Sequence, residues 1–394
     1  YGWAYQVART ARNVAALNEA LAQGFTAFVL DRLDLYGVDD VVLLRAGDVD
    51  PALPAALETA GFALHYQGEE LLLYHRDGAP RAIRRTYDAL GIGSGAQNLC
   101  YMFPKILLGT SDYVDEYALE ELKSFRTVVL SGFQWHDRRR AEEVVRQLAE
   151  DGVNVVVDLT NSLPEALSRE PYFLGVWGEL VILEDRPVEA AGEWGVYDFH
   201  PFSAGGSLWQ AHTPQGLDHA VLSHPYLGGT SSVVGYKQVG KGRVWFIGLN
   251  LPYHAVLTRD KAAVAVLSRL LGMAPGERLP HAAVPLEAYQ ATAGGYRFAY
   301  TLDAPAWLIL PVAFHEGTEV RIDDQPAPLR SYERLVAFAA PAGRHRVDIR
   351  LRPVPIYAWG MMASGTAVLG LLGCIVWELR TARPAAKEAD HVAS

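Results

Sequence analysis

Hydrophobic and polar positions follow three successive rhythms along this chain. Over the first 85 residues the rhythm is mixed. Apolar positions at helical spacing run from Asn13 to Tyr36 and stop at Gly37, a residue suited to the left-handed turn after a helix. VDDVVLL, from Val38 to Leu44, reads as a strand. Asp50-Pro51 pairs a capping side chain with a proline at the first helical position, and Gly61 closes that helix. FALHYQ and LLLYH, on either side of Gly68, form a hairpin pattern. A small α/β unit is expected over residues 1–85.

From residue 86 to 280 the rhythm becomes strand, helix, strand. TVVL (Thr127–Leu130) is a short continuous apolar run, as in a strand buried on both faces. Asp137 is placed to cap the next helix, in which Ala141, Val144, Val145, Leu148 and Ala149 make one apolar stripe. Gly152 ends it and VNVVVDL follows. A connection of this length between strands makes them parallel. GRVWFIGLN, then Asp260 to Leu271 with Gly272 behind it, repeats the pattern, so a doubly wound sheet is expected. Residues 163–235, rich in Gly, Pro and aromatics, read as hairpins and long loops. Between 281 and 354 the rhythm is all-β. RFAYTL, AWLILPVAF, TEVRIDD, RLVAFAA and the alternating HRVDIRLR predict a small β-sandwich.

The pattern then stops alternating. From Ile356 to Trp377 the chain reads IYAWGMMASGTAVLGLLGCIVW, with no charged residue. At about 1.5 Å rise per residue such a helix spans the hydrocarbon layer of a bilayer, roughly 30 Å. Tyr357, Trp359 and Trp377 flank it as interfacial aromatics, and Gly365, Gly370 and Gly373 allow a neighbouring helix to approach. A transmembrane helix over residues 355–379 is expected, with a polar tail from 380 to 394. The expected fold class is therefore α/β plus all-β, with one C-terminal transmembrane helix.

Composition narrows the function. The 394 residues carry a formal charge of −10, which argues against a nucleic-acid partner, as no basic run is interleaved with aromatics. Two cysteines, Cys100 and Cys374, give neither a disulfide framework nor a zinc cluster. No cofactor is expected.

Several stretches together resemble a known family: YGWAYQ, LGIGSG, DEYALEEL, VVLSGF, GVNVVVDLTN, GRVWFIGLNLPYHA and PAGRHRVDIRLRPVPIY. The chain is similar to the C-terminal half of bacterial membrane proteins labelled 6-pyruvoyl-tetrahydropterin synthase-related. Its end resembles that of membrane glycosyltransferase-like proteins of the YfhO type. The resemblance implies a polytopic portion before Tyr1, domains outside the cytoplasm and a cytoplasmic tail. It places any catalytic acid upstream, and makes the bilayer, those upstream helices and a glycan or lipid-linked sugar the partners. The synthase label itself implies an H-x-H zinc pair, and none of the twelve histidines forms one.

Several individual motifs could carry chemistry. Gly91 to Ala96 matches G-x-G-x-x-A, with Asp112 near the acidic position of a dinucleotide site, but Pro104 interrupts the helix; a glycine-dependent turn is the better reading. The middle region also resembles a class I glutamine amidotransferase core. Such a core needs a cysteine on a strand-to-helix turn, and VNVVVDL is followed by Thr160 and Asn161 instead. Cys100 lies elsewhere, and Ser131 lacks the G-x-S-x-G context of an exposed nucleophile. Ligands bind open α/β sheets beyond the strands' carboxyl ends, so Asn161, Asn250, Tyr253 and His254 form the candidate binding rim. Asp112, Asp115 and Glu116, with Glu120 and Glu121, could serve as paired carboxylates or as dipole-complementing helix residues. His212, His219 and His224 have no common-face spacing, so no metal site is expected. Trp135, Trp177, Trp194 and Trp209 are sugar-stacking candidates that core packing explains equally well. The leading expectation is a non-catalytic, extracytoplasmic region linked to envelope glycan assembly. The alternative is a degenerate amidotransferase-like binding module or hydrolase without a glycan role.

Overall fold

The computed structural model describes residues 11–45, 50–159, 173–204, 207–292, 294–352 and 355–381. Its fold is mixed α/β with a large β content spread over several sheets, ending in one long apolar helix.

The N-terminal unit packs helices Ala11–Ala22, Thr26–Leu35 and Leu53–Thr59 with an antiparallel sheet of Asp40–Leu44, Leu71–His75 and Ala63–Gln67. The hairpin either side of Gly68 forms as the alternation predicts, and Gly37 takes φ +61° after the second helix. The third helix starts two residues later than the Asp50-Pro51 pair suggests. Asp50 Oδ1 accepts from Ala52 N at 2.9 Å in the preceding turn, and Pro54 occupies the first helical turn instead.

The central sheet has nine strands. Five are parallel, in the order Gly242–Ile247, Asn154–Asp158, Thr127–Leu130, Ala89–Ile92 and Ile106–Leu108. Successive residues of a strand face opposite ways. Val155 and Val157 accordingly join the core under helix Arg138–Glu150, through Ala141, Val145 and Leu148. Val156 joins the opposite core with Val266 and Leu270 of helix Lys261–Leu271. Asp137 caps the first of these helices as its position predicts, and Asp260, at the expected start of the second, caps that one. Beyond Gly242–Ile247 the sheet continues antiparallel through Gly229–Val239, His219–Tyr226, Val188–Gly192 and Gly195–Phe199. The hairpin-rich stretch thus extends the sheet, and Trp177–Leu183 and Ser207–Gln215 form a smaller one beside it.

Two five-stranded antiparallel sheets make the sandwich, closed over Phe298, Tyr300, Leu308, Phe338 and Ile349. One of its strands comes from far upstream. Arg81–Arg84 lies between Ala282–Pro285 and Ala306–Ala313, although it falls within the 1–85 unit expected from the sequence pattern.

A buried ionic cluster joins the three parts. Asp31 receives Arg85 through two hydrogen bonds, at 2.5 and 2.9 Å, and Arg32 at 2.6 Å. Arg32 reaches on to Glu333 Oε1 at 2.9 Å and to Pro104 O at 3.2 Å. Glu333 and Arg334 form the tip of a sandwich hairpin, both at positive φ, and Asn13 holds Glu333 O at 2.8 Å. Burial opposes the charge on Asp31, but the two guanidiniums keep its carboxyl below the usual value.

Pro355–Thr381 is a single helix, of which Trp359–Thr381 is long and apolar enough to cross a membrane. Its large side chains lie exposed, Trp359 at 69%, Leu369 at 71% and Trp377 at 72%, so no part of the described chain covers them.

Candidate functional site

The carboxyl ends of the five parallel strands share one edge. There Ser131 and Asp158, each ending a neighbouring strand, are both buried, and Ser131 Oγ donates to Asp158 Oδ2 at 2.7 Å. The serine hydroxyl is thereby committed inside the protein rather than displayed on an elbow. The glycine-rich turn packs directly over it. Gly93 has φ +103°, and a Cβ there would lie 2.3 Å from Ser131 O and 2.4 Å from Phe133 N. Gly95 N donates to Ser131 O and Ser94 N to Gly132 O, so these amides serve loop packing instead of facing a phosphate. That supports the turn reading of G-x-G-x-x-A.

On the candidate rim, Asn161 lies outside the described residues. Asn250 follows strand Gly242–Ile247, half-buried at φ +53°, and its carbonyl accepts from His254 N at 3.0 Å. Tyr253 is 40% exposed and stacks on Trp209. His254 departs from the expectation. The sequence places it in a loop on the rim, but LPYHAVLT forms helix Leu251–Thr258 and turns the imidazole into the core. Its ring stacks on Phe202 at 3.9 Å, and Nε2 hydrogen-bonds Asp260 Oδ2 at 3.0 Å. Asp260 also accepts from His200 N, Ala262 N and Ala263 N. Burial works against this carboxylate, yet His254 and the three amides hold it below its ordinary value. The rim therefore presents Asn250 and Tyr253, while His254 fastens the helix behind them.

The acidic cluster also divides. Asp115 is buried and accepts from His136 N at 3.0 and 3.1 Å and from Asp137 N at 2.8 Å. It ties the loop after Ile106–Leu108 to the loop after Thr127–Leu130, where Tyr113 and Gln134 form a bridge. Despite burial, those amides keep its carboxyl low. Glu116 is exposed and held low by Ser111 Oγ, a very short contact, and by His136 Nε2 at 2.9 Å. Asp112 is exposed, with its carbonyl accepting from Gln134 N. Asp115 thus acts as a loop clamp, and the three carboxylates do not converge as an acid/base pair around one opening.

The remaining chemical candidates are occupied by structure. Cys100 is fully buried in helix Ala96–Met102, with Sγ 3.6 Å from Ile106 O, and burial pushes its thiol up to about 12. A thiol that reluctant to ionise is no nucleophile. His219 pairs with Glu193, while burial lowers His212 and His224. Among the described residues no three His, Cys, Asp or Glu side chains come together to hold a metal. Trp209 is buried and donates to Leu249 O at 3.0 Å, and Trp194 packs on Trp245.

These depressed carboxylates set an acid limit. A folded-state value below the unfolded one, near 4, contributes stability above that unfolded value and loses it as pH falls through the folded one. The melting temperature should hold from neutral pH to about 5 and fall steeply below about 4. Asp115→Asn should lower it at pH 7, and the gap from wild type should shrink toward pH 3. A gap that stayed constant with pH would exclude this role for Asp115.

No curated protein matches the sequence. Among solved structures, the chain is similar to the β-galactosidase of Bacillus circulans sp. alkalophilus, at 11% identity over 68% of this chain and 42% of that one, with a TM-score of 0.30. It is similar to the cold-adapted β-galactosidase of Rahnella sp. R3, at 14% identity over 68% and 41%, with a TM-score of 0.31. The α-L-fucosidase isoenzyme 2 of Paenibacillus thiaminolyticus gives 13% identity over 69% and 49%, again with a TM-score of 0.31. The chain spans less than half the length of these structures. Overlap this loose transfers no residue role and no activity. A family model described as Domain of unknown function (DUF8560) matches residues 88–254, which run from strand Ala89–Ile92 through the parallel sheet to His254.

Proposed function

We propose that this chain is a non-catalytic, membrane-tethered region of a larger bacterial envelope protein, which holds a glycan or lipid-linked sugar for chemistry carried out by the preceding part. The observation that carries the proposal is the exposed apolar helix Pro355–Thr381, which follows the last sandwich strand, Gly343–Leu351, with almost no linker. Such a junction holds the folded domains against the bilayer surface. The interior commitment of Ser131, His254, Asp115 and Cys100 supports a holding role over a catalytic one. The domains face the outside and the tail the cytoplasm.

The test is complementation in a strain lacking the gene, with surface polysaccharide as the readout and the protein level checked. Wild type should restore the glycan, and so should Ser131→Ala and Glu116→Gln. Loss of glycan with either variant at normal abundance would overturn the non-catalytic reading. Orientation is read in a Cys374→Ser background with Lys241→Cys or Ser394→Cys. An impermeant thiol reagent should label the first in intact cells and spare the second; the reverse would invert the topology.

A further inference from the structure

We infer that the cleft between the N-terminal unit and the sandwich is a binding subsite for one neutral pyranose ring of a membrane-proximal glycan. It deepens the holding role above and rests on it for the setting, though not for the binding chemistry. The cleft measures about 260 Å³. One wall is aromatic. Tyr289 stacks on Tyr296 with centroids 5.9 Å apart at 25°, and on Phe298 at 6.3 Å and 26°. Across it stand Asp39 and Arg81.

Each wall has a feature that packing alone leaves unexplained. Tyr289 sits in a β-bulge, where the register with the neighbouring strand shifts between Glu287 and Gln290 and Ala288 is forced to φ +50°. A bulge re-aims a side chain, and a non-glycine residue at positive φ carries strain that the surrounding fold must hold. The ring it re-aims remains 37% exposed. On the other wall, Arg81 Nη2 forms a loose ion pair with Asp39 Oδ1 at 3.7 Å, and that oxygen, shielded from solvent, makes no hydrogen bond. The rest of the Asp39 carboxylate is open to solvent, its side chain being 39% exposed. A carboxylate and a guanidinium set side by side match two adjacent hydroxyls, one donating and one accepting. A stacked ring opposite matches the apolar C–H face of a sugar. Together they select a neutral polyol with one flat apolar face, whereas a phosphate or uronate would meet Asp39 with like charge.

The mouth lies near the start of the apolar helix. Tyr296 follows Gly295, which pairs with Arg350, and Gly294 O accepts from Leu351 N at the point where the chain leaves for the apolar helix. The two sides of the cleft pack closely at its base, where a Cβ on Gly37 would lie 3.1 Å from Pro311.

The experiment uses the full chain in phosphatidylcholine nanodiscs, free of sugar-headed detergent. Saturation-transfer NMR is recorded with methyl glucoside, methyl galactoside, N-acetylglucosamine and glucuronate, and with a glucosyl diacylglycerol placed in the disc. At least one neutral ring should receive saturation, and glucuronate little. Tyr289→Ala should weaken binding about tenfold, since one aromatic face is lost, and Tyr289→Phe should retain it. Asp39→Ala should weaken it as well, with the melting temperature showing that each variant is folded. Transfer to the lipid-borne sugar alone would identify a lipid-linked ligand; transfer to the free glycosides as well would identify a general glycan end. Absence of saturation from every probe, or saturation unchanged by Tyr289→Ala, would overturn the subsite. Binding that persists in a protein whose deletion leaves surface polysaccharide intact would instead sink the envelope role and leave the cleft standing.

Discussion

Glu333→Ala should destabilise the protein by about 3–5 kcal/mol, the usual cost of breaking a buried ion pair from one side. Arg32 is fully buried and its Nη2 meets Glu333 Oε1 at 2.9 Å, so removal of that carboxylate leaves two buried guanidiniums, Arg32 and Arg85, sharing the one charge of Asp31. Leu108 N loses an acceptor on the same oxygen, 3.3 Å away. Backbone strain does not confuse the comparison, because alanine and glutamate tolerate φ +50° about equally. The control is Glu287→Ala. Its salt bridge to Arg344 is solvent-exposed, with 71% of the arginine and 44% of the glutamate side chain accessible, and should contribute at most about 1 kcal/mol. Denaturant unfolding followed by tryptophan fluorescence compares the two. Equal losses would mean that the buried cluster does not hold the three parts together.

Removal of the apolar helix should change the protein's partitioning from membrane to water. With residues from 355 onward deleted, the remainder should stay in solution without detergent, while the intact chain should resist carbonate extraction. The reason is the continuous exposed apolar surface from Trp359 to Trp377, which water penalises at roughly 25 cal/mol for each Å². A single charge at its middle gives a graded test. Leu369→Arg should cost about 2.5–3.5 kcal/mol of insertion, a shift of roughly a hundredfold in the inserted fraction. An intact chain recovered in the aqueous phase would end the spanning reading.

The sequence revealed elements whose signals are local. Asp137 and Asp260 cap the helices they precede, Gly152 and Gly272 end them, and the valines of VNVVVDL alternate between two cores. The charged cluster was illegible because its members, Asp31, Arg32, Arg85 and Glu333, look like ordinary surface residues until the fold brings them together. His254 misled for a related reason. Its partner Asp260 stands where the sequence starts a helix, but one carboxylate oxygen caps that helix while the other turns inward to the imidazole. The candidate cleft left no trace, since its walls come from residues near 39, 81, 289 and 296, whose proximity depends on register rather than on pattern.

Strand Arg81–Arg84 imposes an order of events on synthesis. It occupies an interior place in its sheet and pairs Ile83 with both Ala283 and Ile309, so the sandwich cannot close until the ribosome has delivered strands from the far end of the chain. Until then a four-residue strand with two unsatisfied edges waits on the nascent protein while the intervening parallel sheet assembles. Contacts this distant in sequence form late and slowly. Expression of residues 281–352 alone would leave a gap between two strands that natively never touch, a vacancy that another copy's strand could fill. Any dissection of this protein into pieces therefore has to carry residues 81–84 along with the C-terminal sandwich, as a separate peptide or as a permuted chain.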